Sequence, residues 1–270
     1  DITASMSPIG PAPDGEVEDY VISSMGFDYG DLNDPSIGTG TAPAGTPANY
    51  QTLLADGGAR HKIVTDASGN PILKIGAAVD DDVNGQPSTD AGQTAGGDDN
   101  TEAPDDEDGL NVNNLPLFIL TQTATLNVPV MNMTGADAKL TIYIDFNKDG
   151  DFTDPGEMFS TTVAVNATTA TVNIAVPVDA VVGQNLGMRL RLNALAEGMS
   201  PTGDFQSGEV EDYMIQVIGY DYGDHPNTYG TAGVDGPRHL ISQTLKLGAS
   251  VDAELDGIPS TMSGSMVGTG

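Results

Sequence analysis

The stretch NLGMRLRL, residues 185–192, places an apolar side chain at every second position, with Arg189 and Arg191 between the last three. Successive side chains of a β-strand point to opposite faces of a sheet, so this pattern predicts a strand with one apolar and one cationic face. The same period of two occurs at residues 140–146. Because short alternating runs joined by turns are typical of a β-sandwich, we predict an antiparallel sandwich over residues 110–219.

The composition also favours an all-β fold. The 270 residues include 34 Gly and 17 Pro, and aromatic residues make up only 5%. Such a chain is suited to many short strands joined by turns and not to long helices. We therefore expect an all-β protein in which an irregular companion segment, rich in Gly and Asp, precedes the antiparallel sandwich.

The chain carries a large excess of negative charge. Thirty-nine Asp and Glu residues stand against nine Lys and Arg residues, which gives a formal charge of −30. That field repels nucleic-acid phosphates and anionic lipid surfaces, and it attracts metal cations. Because of that repulsion, we predict no nucleic-acid partner. No run of 18 apolar residues is present, so we also predict no membrane insertion. Without cysteine, the chain forms neither disulfides nor thiolate metal sites.

Five blocks of sequence occur twice in the same order. GEVEDY at residues 15–20 recurs at 208–213, and DYGD at 28–31 recurs at 221–224, both 193 residues later. The other matched blocks are GARHKI and GPRHLI (58–63 and 236–241), LKIGAAVD and LKLGASVD (73–80 and 245–252), and NGQPST and DGIPST (84–89 and 256–261). Self-similarity of this kind is the signature of a repeat architecture. We therefore expect a stretch of a tandem or polymeric array that starts inside one repeat and stops inside another.

The repeat divides the chain into four predicted parts. They are the end of a preceding repeat (1–26), an acidic segment running from DYGD to DDEDG (27–109), the sandwich (110–219) and the start of a second DYGD segment (220–270). The two end parts lack their partners within this plan. We therefore expect copies of the protein, or neighbouring repeats, to order them in a head-to-tail assembly.

Three stretches of the sandwich carry a family resemblance. IYIDFNKDGDFTDPGE (142–157), VPVDAVVGQNLGMRLRL (176–192) and GEVEDYMIQV (208–217) resemble the GEVED domain of bacterial secreted and cell-surface proteins. The DYGD segments are similar to the module that accompanies this domain in tandem arrays. The resemblance implies an extracellular, non-catalytic β-sandwich of the kind carried by multidomain adhesins, filaments or secreted enzymes.

The loop that follows residue 144 is the sharpest candidate for a metal site. In residues 145–151, oxygen-bearing side chains occupy positions 1, 3, 5 and 7, with Gly150 at position 6, as at the start of a calcium-binding loop. The glutamate that closes an EF-hand would fall at residue 156, so Glu157 comes one position late. The alternative is that these are simply good turn residues. The predicted Ca²⁺ ligands are Asp145, Asn147, Asp149, Asp151 and Glu157.

Two further groups of oxygen-bearing residues are candidates. On the GEVEDY strand, Glu209 and Glu211 share one face and would either join a metal site or pair with Arg189 and Arg191. The recurring DYGD and VDAELDG blocks would form either a second calcium site or turns alone. Their residues are Asp28, Asp31, Asp80, Asp82 and Asn84 in the first copy and Asp221, Asp224, Asp252, Glu254 and Asp256 in the second.

Motifs of catalytic sites are absent from the sequence, including HExxH, GxSxG and Gly-rich phosphate loops. We therefore predict no catalytic residue and no enzyme. The expected function is that of a structural repeat in an extracellular bacterial surface fibre or adhesin, stabilised by calcium. One alternative is a calcium-dependent module for surface glycans, in which Tyr143, Phe146 and Phe152 would be the aromatic contacts. Another is a non-catalytic appendage of a secreted hydrolase.

Overall fold

A computed structural model describes residues 10, 15–18, 26–40, 48–88, 107–233, 235–242 and 244–259. Most of the predicted N-terminal repeat end (1–26), the acidic run as far as residue 106 and the stretch from residue 260 onward lie outside these ranges. Within the ranges, no helix is both long and apolar enough to cross a membrane.

The described residues form thirteen strands and four short 3-10 helices, which confirms the all-β prediction. The strands are β1 (Phe27–Tyr29), β2 (Arg60–Lys62), β3 (Leu73–Ile75), β4 (Phe118–Ile119), β5 (Thr123–Asn132), β6 (Ala138–Ile144), β7 (Met158–Val163), β8 (Thr169–Ala175), β9 (Asn185–Ala194), β10 (Asp204–Phe205), β11 (Glu209–Ile218), β12 (Tyr220–Tyr222) and β13 (Arg238–Leu240). The 3-10 helices are Leu54–Asp56, Val112–Asn114, Leu195–Glu197 and Asn227–Tyr229.

Two sheets face each other across one apolar core and form a β-sandwich. The larger sheet has the order β4-β11-β9-β6-β7, and the smaller has the order β3-β5-β8. Most neighbouring strands are antiparallel, as predicted, but β4 runs parallel to β11. The alternating apolar side chains of β9 lie fully buried in this core, because the period of two points all of them to one face.

The companion segment supplies part of the sandwich. Strand β3, which lies far upstream of the sandwich in sequence, pairs antiparallel with β5 and forms the edge of the smaller sheet. Leu73 and Ile75 of β3 are 1% and 0% exposed and belong to the sandwich core. Strand β2 also pairs in parallel with β10. The sandwich therefore includes residues from before position 110, because its smaller sheet would otherwise have only β5 and β8.

The two DYGD segments share the pairing of their first two strands. We call residues 26–88 segment one and residues 219–259 segment two. In segment one, β1 pairs with β2 so that Asp28 lies opposite His61, and in segment two β12 pairs with β13 so that Asp221 lies opposite His239. The loop hydrogen bonds correspond as well: Ile63 N donates to Gly26 O, and Ile241 N donates to Gly219 O. The DYGD and GARHKI blocks thus form the same local structure in both places, whereas Leu73–Ile75 is a strand and the equivalent residues 245–247 are not.

Candidate functional site

The predicted calcium loop connects β6 to β7 and is folded around the carboxylate of Asp145. One oxygen of Asp145 accepts the backbone N–H of Asp149 at 3.1 Å, and the other accepts that of Gly150 at 3.0 Å. Gly150 has a φ of 95°, and a Cβ there would overlap with the carbonyl oxygen of Gly40. Glycine is required at this position, both for the left-handed backbone and for the close approach of segment one.

Two more carboxylates of the loop converge on the side-chain amide of Asn147. Its Nδ2 donates to Asp149 at 3.0 Å and to Asp154 at 2.6 Å. Asp151 is turned away, since its Oδ1 accepts the backbone N–H and the hydroxyl of Thr153. The loop therefore brings Asp149 and Asp154 together around Asn147, while Asp151, a predicted ligand, closes a separate turn.

Glu157 lies beneath the same loop and is buried. It accepts the backbone N–H of Phe146 at 2.9 Å and that of Asp154 at 3.3 Å. Burial, followed by the charge of Asp145, raises the pKa of Glu157 to about 7. Burial also raises the pKa of Asp145 to about 6, with a further contribution from Asp149. The loop thus concentrates negative charge, and Lys148 does not offset it because its ammonium group is directed to Gln184.

Among the residues that the structure describes, no three His, Asp or Glu side chains are placed to hold a metal ion together. The chemistry of the loop still suits Ca²⁺, which takes carboxylate, amide and carbonyl oxygens. A cavity of about 340 Å³ borders Asn147, Asp154 and Glu157. Of the predicted ligands, Asn147 and Asp149 face each other, and Asp145 and Glu157 lie below them, held by backbone amides.

The three aromatic residues of the loop region are buried. Tyr143, Phe146 and Phe152 are 1%, 2% and 6% exposed, respectively. Phe152 stacks on Tyr50 of segment one, with ring centroids 5.1 Å apart. The hydroxyl of Tyr50 donates to Asp145 at 2.9 Å and accepts the N–H of Gly187 at 3.1 Å. Tyr143 and Phe152 pack with Tyr50 of segment one, whereas Phe146 packs in the sandwich core, so none of the three rings is available to stack on a sugar.

A buried ion pair lies on the cationic face of β9. Arg189 donates through Nε and Nη2 to the two oxygens of Asp212, both at 2.8 Å, and neither side chain is exposed. The carboxylate of Asp212 also accepts the backbone N–H groups of Asp31 at 2.7 Å and Leu32 at 2.9 Å. Arg189 additionally donates to the carbonyl of Gln51. Segment one is therefore hydrogen-bonded to both Arg189 and Asp212 of the sandwich.

The second arginine of β9 also meets segment one. Arg191 Nε donates to His61 Nε2 at 2.9 Å, and His61 Nδ1 lies 2.7 Å from the carbonyl oxygen of Ser207. Burial, followed by the charges of Arg191 and Arg189, lowers the pKa of His61 well below its ordinary value. Burial and the neighbouring Arg189 lower the pKa of Arg191 to about 9. The imidazole is thus neutral, with its proton on Nδ1.

The comparison with known families bears on the strands just described. The family model of the GEVED domain matches residues 139–216, a range that runs from β6 to β11. This chain contains a GEVED domain. The resemblance in the sequence is thereby confirmed for residues 139–216 of the sandwich. No curated protein matches the chain.

Each acid of the GEVED motif accepts a hydrogen bond from outside its strand. Glu209 accepts the N–H of Ile75, Glu211 accepts that of Gly109, and Asp212 accepts those of segment one described above. The N–H of Val210 in turn donates to Asp28. The GEVED strand is therefore where the upstream residues attach to the domain.

Of the two alternatives for Glu209 and Glu211, the pairing with the arginines is wrong. In the register of β11 and β9, the two glutamates lie opposite Leu192 and Leu190, whereas Asp212 lies opposite Arg189. Residues directly opposite each other in an antiparallel pair share a face, so the glutamates belong to the core face. Asp212, Tyr50 and His61 were not among the predicted site residues. The recurrence of Asp212 and His61 in the repeated blocks was the available signal.

Several of the predicted ligands in the repeated blocks accept backbone N–H groups. Asp28 accepts the N–H of Val210 at 2.6 Å, and Asn84 accepts that of Leu54 at 2.7 Å. In segment two, Glu254 accepts the N–H of Tyr222 at 2.8 Å. Burial raises the pKa of Glu254, and the charges of Asp224, Asp252 and Asp221 raise it further. Repulsion from three other predicted acids of segment two thus acts on Glu254, but no three carboxylates among the described residues are placed to hold a metal ion together.

Proposed function

We propose that this chain is a structural, non-enzymatic repeat of an extracellular bacterial surface fibre or adhesin that assembles head-to-tail and is stabilised by calcium. One observation carries the proposal. Segment one is fastened to the GEVED domain by buried polar contacts and a shared strand, and the chain repeats the same segment after that domain. Each chain therefore has a GEVED domain that binds segment one, followed by segment two, which repeats segment one. Such an order allows contacts to propagate from end to end.

A fibre also needs stiff joints between its units, and the contacts of segment one favour stiffness. The pair of Arg189 and Asp212 is inaccessible to solvent and joined by two hydrogen bonds, and segment one contributes further donors and acceptors to it. Buried polar networks in which the members are hydrogen-bonded hold a single arrangement, because any other one leaves polar groups without partners. Such a joint transmits force along a stalk without bending.

The extracellular location is supported by the GEVED domain and by the charge. The resemblance is to a domain of secreted and cell-surface proteins, and a formal charge of −30 keeps neighbouring fibres apart in solution. Calcium enters the proposal through the loop between β6 and β7. Burial, and after it the charges of neighbouring carboxylates, raises the pKa values of Asp145, Asp149 and Glu157, and a divalent cation would offset the repulsive part.

Immunogold electron microscopy of intact cells of the source organism tests this function. Antibodies raised against residues 107–219 should label surface fibres at a regular spacing, and chelation of calcium should loosen or shorten the fibres. Antibody preabsorbed with the purified protein is the control. Label confined to the interior of sectioned cells, or label outside the cell without any fibre, would overturn the proposal.

A further inference from the structure

Segment two exposes side chains whose counterparts in segment one lie in the domain core. Leu73 and Ile75 of segment one are 1% and 0% exposed, whereas Leu245 and Leu247, which occupy the same places in the repeated block, are 84% and 97% exposed. Two exposed leucines separated by one residue form the apolar face of a potential strand. In segment one, that strand is β3, the edge of the smaller sheet of the GEVED domain.

The same contrast occurs at an aromatic position. The carbonyl oxygen of Thr52 lies against Gly58 and Gly85, and that of Thr231 lies against the equivalent Gly236 and Gly257, so the two threonines correspond. Each segment has a tyrosine two residues earlier in sequence, Tyr50 in one and Tyr229 in the other. Tyr50 is 1% exposed and donates a hydrogen bond to Asp145 of the domain, whereas Tyr229 is 75% exposed.

His61 and His239 differ in the same way. His61 is fully buried against Arg191, whereas His239, in the same register opposite Asp221, is exposed. The positions that segment one uses to contact a domain are thus retained in segment two but lie at its surface.

A glycine of segment one that packs against the domain also has an equivalent in segment two. A Cβ on Gly30 would overlap with the carboxylate of Asp212, which packs against that backbone. The equivalent Gly223 would meet only Pro237, with Cγ at 3.3 Å. No aspartate of the described residues lies against Gly223, so the contact that Gly30 makes with Asp212 has no counterpart in segment two.

We propose that segment two docks onto a second copy of the GEVED domain and donates Leu245–Leu247 as the third strand of its smaller sheet. The domain of this chain already holds segment one, so the acceptor is a second copy of the domain that has no segment one of its own. In the acceptor, Leu245 and Leu247 take the places of Leu73 and Ile75, and the backbone of residues 223–225 receives the aspartate equivalent to Asp212. This inference rests on the proposed function and names its partner and contact.

The chemistry of the two surfaces is complementary. Without its donor, the smaller sheet of the domain has β5 as an open edge next to a core that lacks two large aliphatic side chains. An extended segment that supplies both backbone hydrogen bonds and apolar side chains is the occupant that such an edge accepts. One equivalent position does not retain an apolar residue. Leu32 of segment one packs in the apolar cluster with Tyr50 and Phe152, and its equivalent in segment two is His225.

The experiment uses the whole chain extended at residue 270 by a second copy of residues 107–219. Docking predicts that the appended domain folds and that the double substitution Leu245→Asp with Leu247→Asp lowers its melting temperature by more than about 10 °C. The same double substitution in the chain without the appended copy is the matched control. There it should leave the melting temperature unchanged, because both leucines are exposed.

An engineered disulfide provides a second measurement. Ile75 lies opposite Val130 in the register of β3 and β5, so Leu247→Cys should oxidise readily with Val130→Cys of the appended copy. The chain has no cysteine of its own to compete. The expected result is a crosslink that forms in the folded state and not in urea. An appended domain that stays unfolded, ignores the leucine substitutions or fails to crosslink would overturn the inference.

These outcomes are separate from those that test the fibre. Docking within the extended chain needs neither a cell surface nor a polymer, so it would hold even if immunogold labelling showed no fibre. Labelled fibres without docking in the extended chain would leave the structural role in place and overturn only this contact.

Discussion

The guanidinium Nε of Arg191 donates a hydrogen bond to Nε2 of His61 over 2.9 Å, in an environment that excludes solvent from both side chains. This arrangement requires a neutral imidazole, and its pKa is lowered by burial and by the charges of Arg191 and Arg189. In the unfolded chain the imidazole titrates near pH 6.5, so below that pH the unfolded state binds a proton that the folded state does not. Stability is therefore lost as the pH falls below about 6.5.

The first prediction is that His61→Gln removes this pH dependence. Between pH 7 and pH 5 the wild-type protein should lose about 2 kcal/mol through His61, whereas the variant should not. At pH 7 the variant itself should be less stable by about 1–3 kcal/mol, because glutamine satisfies the buried Arg191 less well. Urea denaturation at several pH values measures both effects.

His239→Gln is the matched control for that substitution, since His239 is exposed at the equivalent position of segment two. It should change neither the stability nor its pH dependence. Asp145 and Glu157 have raised pKa values and act in the opposite direction, but they are present in every variant and cancel in the difference. Equal slopes for wild type and His61→Gln would contradict the prediction.

The second prediction concerns the ion pair of Arg189 and Asp212. Asp212→Ala leaves a buried guanidinium and two backbone N–H groups of segment one without their acceptor, so it should cost about 3–5 kcal/mol. Asp204→Ala is the control, because Asp204 pairs with Arg60 near the surface, where the side chains are 43% and 21% exposed. It should cost less than about 1 kcal/mol. Similar urea midpoints for the two variants would refute the difference.

The strands of the domain could be predicted from the sequence because their side chains alternate strictly. The same period of two, followed along β11, also places Glu209 and Glu211 on the face of Tyr213 and Ile215, which is the core face. Asp212 lies between Glu211 and Tyr213, so the alternation alone assigns its side chain to the opposite face, which is the face of the arginines. The pairing of the glutamates with the arginines, one of the two alternatives that the charges left open, is therefore inconsistent with the alternation along the two strands.

The position of segment one could not be predicted in the same way. Strand β3 has only three residues, and its partner β5 begins about 50 positions later. Such a contact depends on tertiary packing and leaves no periodic signal in a short block. The recurrence of Leu73 and Ile75 as Leu245 and Leu247 showed that these positions matter, but it did not indicate that the first pair enters the domain core.

The third prediction uses two equivalent glycines. Gly30→Ala should lower the free energy of unfolding by about 1–3 kcal/mol, because its methyl group would displace the carboxylate of Asp212. Gly223→Ala in the same chain should have an effect within about 0.5 kcal/mol, because only Pro237 is near. Thermal unfolding of both variants provides the comparison. A large effect of Gly223→Ala would show that segment two is packed more closely than its exposure indicates.

The last prediction is the effect of calcium on the loop between β6 and β7. Extracellular calcium sites often have dissociation constants of roughly 10⁻⁴–10⁻³ M, so about 10 mM Ca²⁺ should raise the free energy of unfolding by about 1–3 kcal/mol over chelated protein. Asp149→Ala should abolish most of that gain, because Asp149 and Asp154 converge on Asn147.

Asp66→Ala is the control: this exposed carboxylate closes a turn through Ser68 and Asn70 and should leave the calcium response intact. Magnesium at the same concentration is a second control. General screening of the acidic surface would stabilise all the variants alike and with either cation, whereas a specific site would respond to calcium and lose that response in Asp149→Ala. Calorimetric melting that shows no calcium-dependent shift in the wild-type protein, or the same shift in Asp149→Ala, would remove calcium from the proposed function and leave the loop as a turn.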